Sequence, residues 1–496
     1  MLTTAATVAL RPINLAASFL LLRWLSPEEF GSVALAMILF QTSNLFTGLG
    51  LGSALIHTQL DRKKVAFYTF SMMMAFALVL FVVVNLFLEN IAGLIAKPED
   101  VAGLLPIMRP LSFLILINTA STIPTSILKK DLLFGRVSTF NLIQQLTYTF
   151  VALGFAISGF GVWSLVIARL SSSSIKTISS WLMCPGWDWI TPKRWDLGIS
   201  RELLTYGLPN MWGGLLNYFH THWDDLLVGR VFGEAILGFY TKAYDLTNST
   251  IKQFSDNVIG AVFFPSYAKI QDDPIRLSRI YIKSVQLVML IVVPLAFGAM
   301  SVAPELVRVL WGADWIPMIP ILQVYGFMLL SRPVSTNTSP LFLALGKPNF
   351  NARAGYVLLF VMLPLAFLLL DLGVMGIAYA VVASHFVGAV FNVYQVNTLL
   401  PGSARKTARA IFPTVMAGIM MYLVVILFKQ PLLSIWGEQY GFSGLFSLII
   451  LGGLVYTPIV FVIQWSLIQE ILQLIRPMLE KRVPFLRRSV AEKQAV

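Results

Sequence analysis

The sequence predicts an all-α polytopic membrane protein of about 14 transmembrane helices, built as two pseudo-twofold-related six-helix lobes plus two extra C-terminal helices. Three observations predict it. Of 496 residues, 57% are hydrophobic and only 12% are charged. Apolar windows of about 20 residues, enough to cross a bilayer's hydrocarbon, recur from end to end. The short segments between them alternate between strongly basic and nearly uncharged, as cytoplasmic and outer loops do.

The windows fall at Thr4–Leu22, Val33–Ile56, Val65–Leu88, Leu104–Ile127, Val137–Ile157, Val162–Met183, Leu203–Val228, Ile236–Phe263, Ile282–Ala303, Met318–Leu345, Ala354–Leu370, Met375–Asn397, Ile411–Phe428 and Leu445–Trp465. One set of loops carries Arg62, Lys63 and Lys64; Lys129, Lys130 and Arg136; Lys193, Arg194 and Arg201; Lys269, Arg276 and Arg279; Lys347 and Arg353; and Arg405, Lys406 and Arg409. The other set holds little beyond Arg23, Lys97, Arg230, Arg308 and Lys429. The positive-inside rule makes the first set cytoplasmic and puts both termini inside. Arg476, Lys481, Arg482, Arg487 and Arg488 then make the tail a stop-transfer anchor, in preference to an amphipathic helix on the anionic inner leaflet.

The net charge of +12 lies in these loops rather than in a patch, which argues against nucleic acid as a partner. Cys184 is the single cysteine, so no intrachain disulfide can form. The N-terminus runs into the first window without a basic n-region, so no removable signal is expected. No loop is long enough for a soluble catalytic domain.

An internal repeat organises the spans. The first outer turn, Arg23-Trp-Leu-Ser-Pro-Glu-Glu-Phe-Gly31, shares its arginine-to-glycine spacing with Arg230-Val-Phe-Gly-Glu-Ala-Ile-Leu-Gly238. Pro124 and Phe134 recur as Pro340 and Phe350, and Gly161-Val162 as Gly373-Val374, each about 210 positions on. Six spans is an even number, so the copies share orientation and their pseudo-twofold runs along the membrane normal. The expected domains are an N-terminal lobe over 1–184, a cytoplasmic linker over 185–201, a C-terminal lobe over 202–400, spans 13 and 14 within 401–466, and a basic tail over 467–496. A two-lobed repeat is transporter architecture, worked by alternating access.

Six ordered motifs carry a resemblance: LSPEEFG (Leu25–Gly31), DLLVGR (Asp225–Arg230), LGFYTKAY (Leu237–Tyr244), FPSYAKIQDD (Phe264–Asp273), LWGADW (Leu310–Trp315) and FLALGKP (Phe342–Pro348). The chain resembles, through nearly its whole length, the polysaccharide-exporter branch (Wzx-like lipid-linked oligosaccharide flippases) of the multidrug/oligosaccharidyl-lipid/polysaccharide flippases. The N-terminus is somewhat short for that family. The resemblance implies a non-enzymatic flippase that carries a polyprenyl-diphosphate-linked oligosaccharide from the inner to the outer leaflet of the bacterial cytoplasmic membrane, for exopolysaccharide, capsule or O-antigen synthesis. Membrane lipids and other polysaccharide-assembly membrane proteins are the partners it implies, with no cofactor.

Such cargo sets chemical demands. A diphosphate in hydrocarbon needs arginine or lysine, and the cations expected near mid-membrane are Arg11, Arg169, Lys252 and Arg332. Each is open to a second explanation, pairing with a buried carboxylate or snorkelling to a headgroup; for Lys252 the available acids are Asp245 and Asp256. Sugars need amides and aromatic walls, for which Asn14, Asn141, Gln144, Asn210, Asn217, Tyr218 and Asn337 are candidates, with helix-to-helix hydrogen bonding as the ordinary alternative. Coupling to a proton or sodium gradient would need a titratable or cation-binding group, and His220, His222, Asp224, Asp225 and His385 are the candidates. For Asp224 and Asp225 a position at the outer mouth, paired with Arg230, is the favoured explanation.

Three rival classes remain, of which a purely structural scaffold is hard to reconcile with buried cations in several different spans. A multidrug cation antiporter of the same superfamily would want an acidic cavity, whereas the isolated mid-span charges here are mostly basic. A membrane-embedded polymerase would want a large outer loop or a metal-binding acidic domain; Asp272-Asp273 before Pro274 is the only acidic pair in a cytoplasmic loop, and a helix N-cap explains it.

Overall fold

The computed structural model of the chain describes residues 17, 19–58, 60–191, 195–255, 263–436, 441–465 and 469, with the backbone alone at 249–255, 264 and 265. Every long element among them is a helix. In order these are α1 (Pro27–Gly48), α2 (Leu51–His57), α3 (Arg62–Leu86), α4 (Leu88–Ile95), α5 (Val101–Leu111), α6 (Leu114–Lys130), α7 (Phe134–Ile157), α8 (Val162–Met183) and α9 (Leu197–Phe232). There follow α10 (Glu234–Ser255), α11 (Phe264–Lys269), α12 (Pro274–Leu310), α13 (Met318–Ala344), α14 (Asn349–Leu368), α15 (Val374–Leu399), α16 (Ser403–Ser434) and α17 (Gly441–Ile463).

Among the described residues, nine helical segments are long and apolar enough to cross a membrane: α1, α3, α5 with α6, α7, α12, α14, α15, α16 and α17. The chain is an all-α, multi-pass membrane protein. Side chains such as Leu86 (72% exposed), Phe360 (72%) and Val462 (81%) face outward, which only a lipid solvent tolerates in such numbers. The long helices outside that set are α8, α9, α10 and α13, and they carry most of the candidate site residues. Polar content is what lowers their hydropathy, and polar content inside a membrane marks function.

Two expected spans are broken. The window Val33–Ile56 divides at Leu49 and Gly50, both left-handed (φ 45° and 64°), because Gly50 lies against the Gly207 backbone, where a Cβ would stand 2.0 Å from its carbonyl oxygen. The window Leu104–Ile127 becomes α5 and α6, interrupted after Pro106 and Pro110, each of which removes a backbone donor. The window Ile282–Ala303, by contrast, grows into the 37-residue α12, about 55 Å long and able to project beyond the hydrocarbon.

The helices cluster into two compact units. One comprises residues 1–243, 310–318 and 370–377, so α9, expected in the C-terminal lobe, packs with this unit; the other comprises 244–309, 319–369 and 378–496. The core of the first gathers Leu51, Tyr68, Met73, Ile123, Ile127 and Leu203 around Trp189. Trp189 belongs to the 185–201 segment and is 1% exposed, its ring 5.6 Å from Phe70 and 5.5 Å from Trp181. That aromatic trio fastens the segment to the basic end of the unit, where Asp188 also pairs with Lys63. The second core packs Tyr281, Val285, Met289 and Val293 of α12 against Phe342, Val396, Met421 and Leu448. Cys184 is buried and free, a small apolar residue as its isolation in the sequence implies.

Candidate functional site

α7 and α8 run antiparallel through the tight turn at Phe160 and Gly161 and pack along their length. On α8 the lipid-facing stripe is Ile175, Ile178 and Leu182, all exposed. Arg169, Ser173, Lys176 and Ser180 recur at intervals of four, three and four, which puts them on the opposite side of the helix. Ser173 and Ser180 are buried there. The Arg169 guanidinium lies over the Tyr148 ring of α7, 4.9 Å from its centroid, a cation–π contact that orients the fork without neutralising it. Its Nε is buried without a hydrogen-bond partner. Among the described residues no carboxylate lies within 4.0 Å of Arg169 or Lys176.

Tyr148 shares its face of α7 with Gln144 and Asn141, at spacings of four and three. From the Tyr148–Arg169 contact, seven residues back along α7 and seven forward along antiparallel α8 cover equal rises of about 10.5 Å. Asn141 is therefore level with Lys176. The result is a wall with cations two turns apart on one helix and amides on the other. Cations of this kind can hold phosphate oxygens, while the amides suit sugar hydroxyls.

Lys176 was missing from the sequence candidates. Its position seven residues from Arg169 was the available signal, hidden by the serine run Ser171–Ser174, which reads as helix packing.

The remaining candidates are dispersed. In the second unit, Arg332 of α13 donates from Nη2 to the Tyr244 hydroxyl at 3.2 Å, and its Nε is buried without a partner. Asn337 is fully buried and donates to the Pro333 carbonyl of its own helix at 2.6 Å, so it offers no surface to a sugar in this conformation. His385 likewise turns a ring nitrogen to Val381 O at 2.9 Å. Arg11, Asn14 and the Lys252 side chain lie outside the described residues.

On α9, Asn217 is exposed, and Asn210 donates to the Tyr206 carbonyl at 3.2 Å. The rings of Tyr218 and His222 lie 4.4 Å apart, tilted by 38°, beside an apolar cavity of about 290 Å³ between α1 and α9, lined also by Ile38, Thr42, Phe46 and Phe219. The expected pairing of Asp224 and Asp225 with Arg230 does not occur. Arg230 donates to the Ala96 carbonyl at 2.5 Å, whereas Asp225 meets His222 Nδ1 at 2.9 Å. Asp224 is 5% exposed; it accepts from the Tyr240 hydroxyl at 2.7 Å, and its second oxygen has no partner. The helical hairpin sets these partners: Asp224 and Tyr240 stand at similar heights either side of the Gly233 turn, while Arg230 is nearly two turns further out. His220 Nδ1 is also buried and unpartnered.

The sequence family described as "Polysaccharide biosynthesis protein" matches residues 20–320. The chain belongs to that family. The chain is similar to the succinoglycan biosynthesis transport protein ExoT of Rhizobium meliloti (strain 1021), 28% identical over 324 residues. That match covers 64% of this chain and 63% of the relative, just under two thirds of its length. It is also similar to the lipopolysaccharide biosynthesis protein WzxC of Escherichia coli (strain K12), 22% identical over 80% of this chain and 82% of that one. Among solved structures, the lipid II flippase MurJ in an inward closed conformation matches with a TM-score of 0.77 at 18% identity, covering 94% of this chain and 99% of the other. At that identity the likeness is one of fold.

Proposed function

We propose that this polysaccharide biosynthesis protein is a flippase for polyprenyl-diphosphate-linked oligosaccharides, moving them from the inner to the outer leaflet of the bacterial cytoplasmic membrane by alternating access. The observation that carries the reading is the α7–α8 wall, where Arg169 and Lys176 share one face with no carboxylate beside them among the described residues. Uncompensated cations inside a membrane protein are costly unless an anion visits them. A diphosphate, with roughly two negative charges, fits two cations about 10.5 Å apart along a helix as successive stations. Asn141, Gln144 and Tyr148 would meet the first sugars, and the polyprenyl tail would stay in lipid. Arg332 is a further cation of the same kind in the second unit.

The names of the relatives support transport rather than catalysis, since ExoT is called a transport protein and MurJ a flippase. A cation exporter on this fold is less well supported because, among the described residues, Glu305 is paired with Lys429 and Asp225 with His222.

Coupling to an ion gradient belongs to the same reading, and Asp224 favours the proton. A buried carboxylate without a counter-cation is expensive, and one proton removes that cost, whereas sodium would need several more oxygen ligands around it. Among the described residues no cluster of three or more acidic, histidine or cysteine side chains suitable for a metal ion occurs.

The test is transport of a fluorescent polyprenyl-diphosphate oligosaccharide in proteoliposomes by the wild type, Arg169→Ala, Lys176→Ala and the double variant. Full transport by the double variant would sink the assignment. Asp224→Asn is expected to move cargo downhill yet lose the stimulation by an imposed pH gradient.

A further inference from the structure

The two copies of the outer-turn motif meet face to face within the first unit. Gly31 is the fifth residue of α1, and a Cβ on it would stand 1.8 Å from the carbonyl oxygen of Glu234, the first residue of α10. Gly238 is the fifth residue of α10, and a Cβ on it would stand 2.0 Å from the carbonyl oxygen of Pro27, the first residue of α1. Residue five of each helix therefore abuts residue one of the other. Such reciprocity is the signature of a twofold contact, and it explains why both copies keep glycine at one spacing. No other residue fits, because the contact is backbone against backbone.

Side chains complete the junction. Ser32 Oγ donates to the Glu28 carbonyl at 2.8 Å and also meets the Glu234 carboxyl. Glu29 and Ser26 close a capping box on α1, and Asp100 accepts from Glu234 N at 3.3 Å on α10. These carboxyl groups offset the two positive helix N-termini brought together here. Trp315, 1% exposed, lies edge-on to Phe30 of the first turn (5.7 Å) and Phe239 of the second (5.8 Å). The LWGADW motif thus supplies a wedge seated against both turns.

We propose that the first turns of α1 and α10 form an outer gate, latched in this conformation by the reciprocal glycine contacts, which must part for cargo to leave. The inference rests on the flippase reading. Its physical basis is that the junction is tight yet weakly bonded. A backbone carbonyl resting against a glycine C–H gains only about 0.5–1 kcal/mol, and Ser32–Glu234 is the one side-chain hydrogen bond described directly between the turns. A junction that excludes all side chains but has few bonds can close without a gap and still reopen, as a two-state element requires.

The experiment uses the full chain with Cys184→Ser, Ser32→Cys and Glu234→Cys for every transport measurement, and adds the exposed position Asn141→Cys as a reporter only for the labelling measurement, in right-side-out vesicles. Oxidation is expected to cross-link positions 32 and 234, to cut labelling of position 141 by an impermeant external maleimide about tenfold, and to stop transport, with all effects reversed by reductant. Failure to cross-link, or cross-linked protein that still labels and transports, overturns the gate. If cross-linking controls labelling but the reduced protein moves no lipid-linked oligosaccharide, the gate stands and the flippase reading falls. Gly31→Val supplies a second arm: the turns cannot close, so position 141 is expected to remain open to external maleimide, and wild-type protection there would also overturn the gate.

Discussion

The α7–α8 wall and the junction of α12 with α16 handle interior charge in opposite ways. At the junction, Lys429 Nζ lies 2.7 Å from the Glu305 carboxylate and donates to the Ser301 carbonyl at 2.8 Å, with only 16% and 6% of the two side chains exposed. On the wall, Arg169 lies over the Tyr148 ring, and among the described residues neither it nor Lys176 has a carboxylate within 4.0 Å. A paired charge is complete without cargo; an unpaired one is not. Lys429 and Glu305 therefore belong to the scaffold, fixing α16 to α12, whereas on the flippase reading proposed above the wall cations are kept for the anionic cargo. Removing one partner of a buried pair strands the other, so Glu305→Ala is expected to cost about 3–5 kcal/mol, read as a large loss of thermal stability in detergent. Glu305→Leu with Lys429→Met is expected to recover most of it. If Glu305→Ala instead left stability intact and abolished transport, the division between scaffold and ligand charges would be wrong.

The opposite pattern is expected on the wall. Arg169→Ala removes no ion pair, so folding and melting stay close to wild type while transport suffers. A lost charge-assisted contact is worth about 1.5–3 kcal/mol, which predicts a rise of about ten- to a hundredfold in the lipid-linked substrate concentration giving half-maximal flux. Arg169→Lys keeps charge but loses the planar fork and its stacking on Tyr148, and is expected to fall between the two. Equal losses of stability and flux would show Arg169 to be structural.

The helices were legible in the sequence because a bilayer enforces them. Every backbone group must be bonded within its own segment, so hydropathy alone outlines the spans. Interior pairing was less legible. Asp224 and Asp225 stand near Arg230 in sequence, yet the helix turns them elsewhere, toward Tyr240 and His222. Arg169 was visible as an isolated cation, and its neighbour Lys176 was not, because a serine run reads equally as packing or as a polar wall. Asn337 shows the converse: an amide in a span satisfied by its own helix. The break at Leu49–Gly50 depends on Gly207, more than 150 residues away, and no local pattern records that contact.

The outer turns give the smallest predicted effect and the one that links the two kinds of charge. Glu234 lies in the turn ahead of the eighth expected span, and burial pushes its carboxyl up to about 7, with Asp100 and Glu28 adding repulsion and the Ser32 hydrogen bond opposing. Ser32 has one hydroxyl proton and faces two acceptors, the Glu28 carbonyl and Glu234; a proton on Glu234 supplies the second donor. Packing of the turn thus favours a proton on Glu234 that the separated turn, with an ordinary carboxyl, would release. Its stability is fully present at low pH and declines as pH rises from about 4.5 to about 7, by about 1 kcal/mol once solvent screening of this partly exposed group is allowed for. Melting temperature measured across that window should fall for the wild type and stay flatter for Glu234→Gln, which keeps a donor at every pH. In the cross-linkable gate the same slope should vanish, because position 234 no longer titrates. A wild-type profile indistinguishable from that of Glu234→Gln would mean that Glu234 holds no proton in the closed turn, leaving the glycine contacts as the whole of the latch.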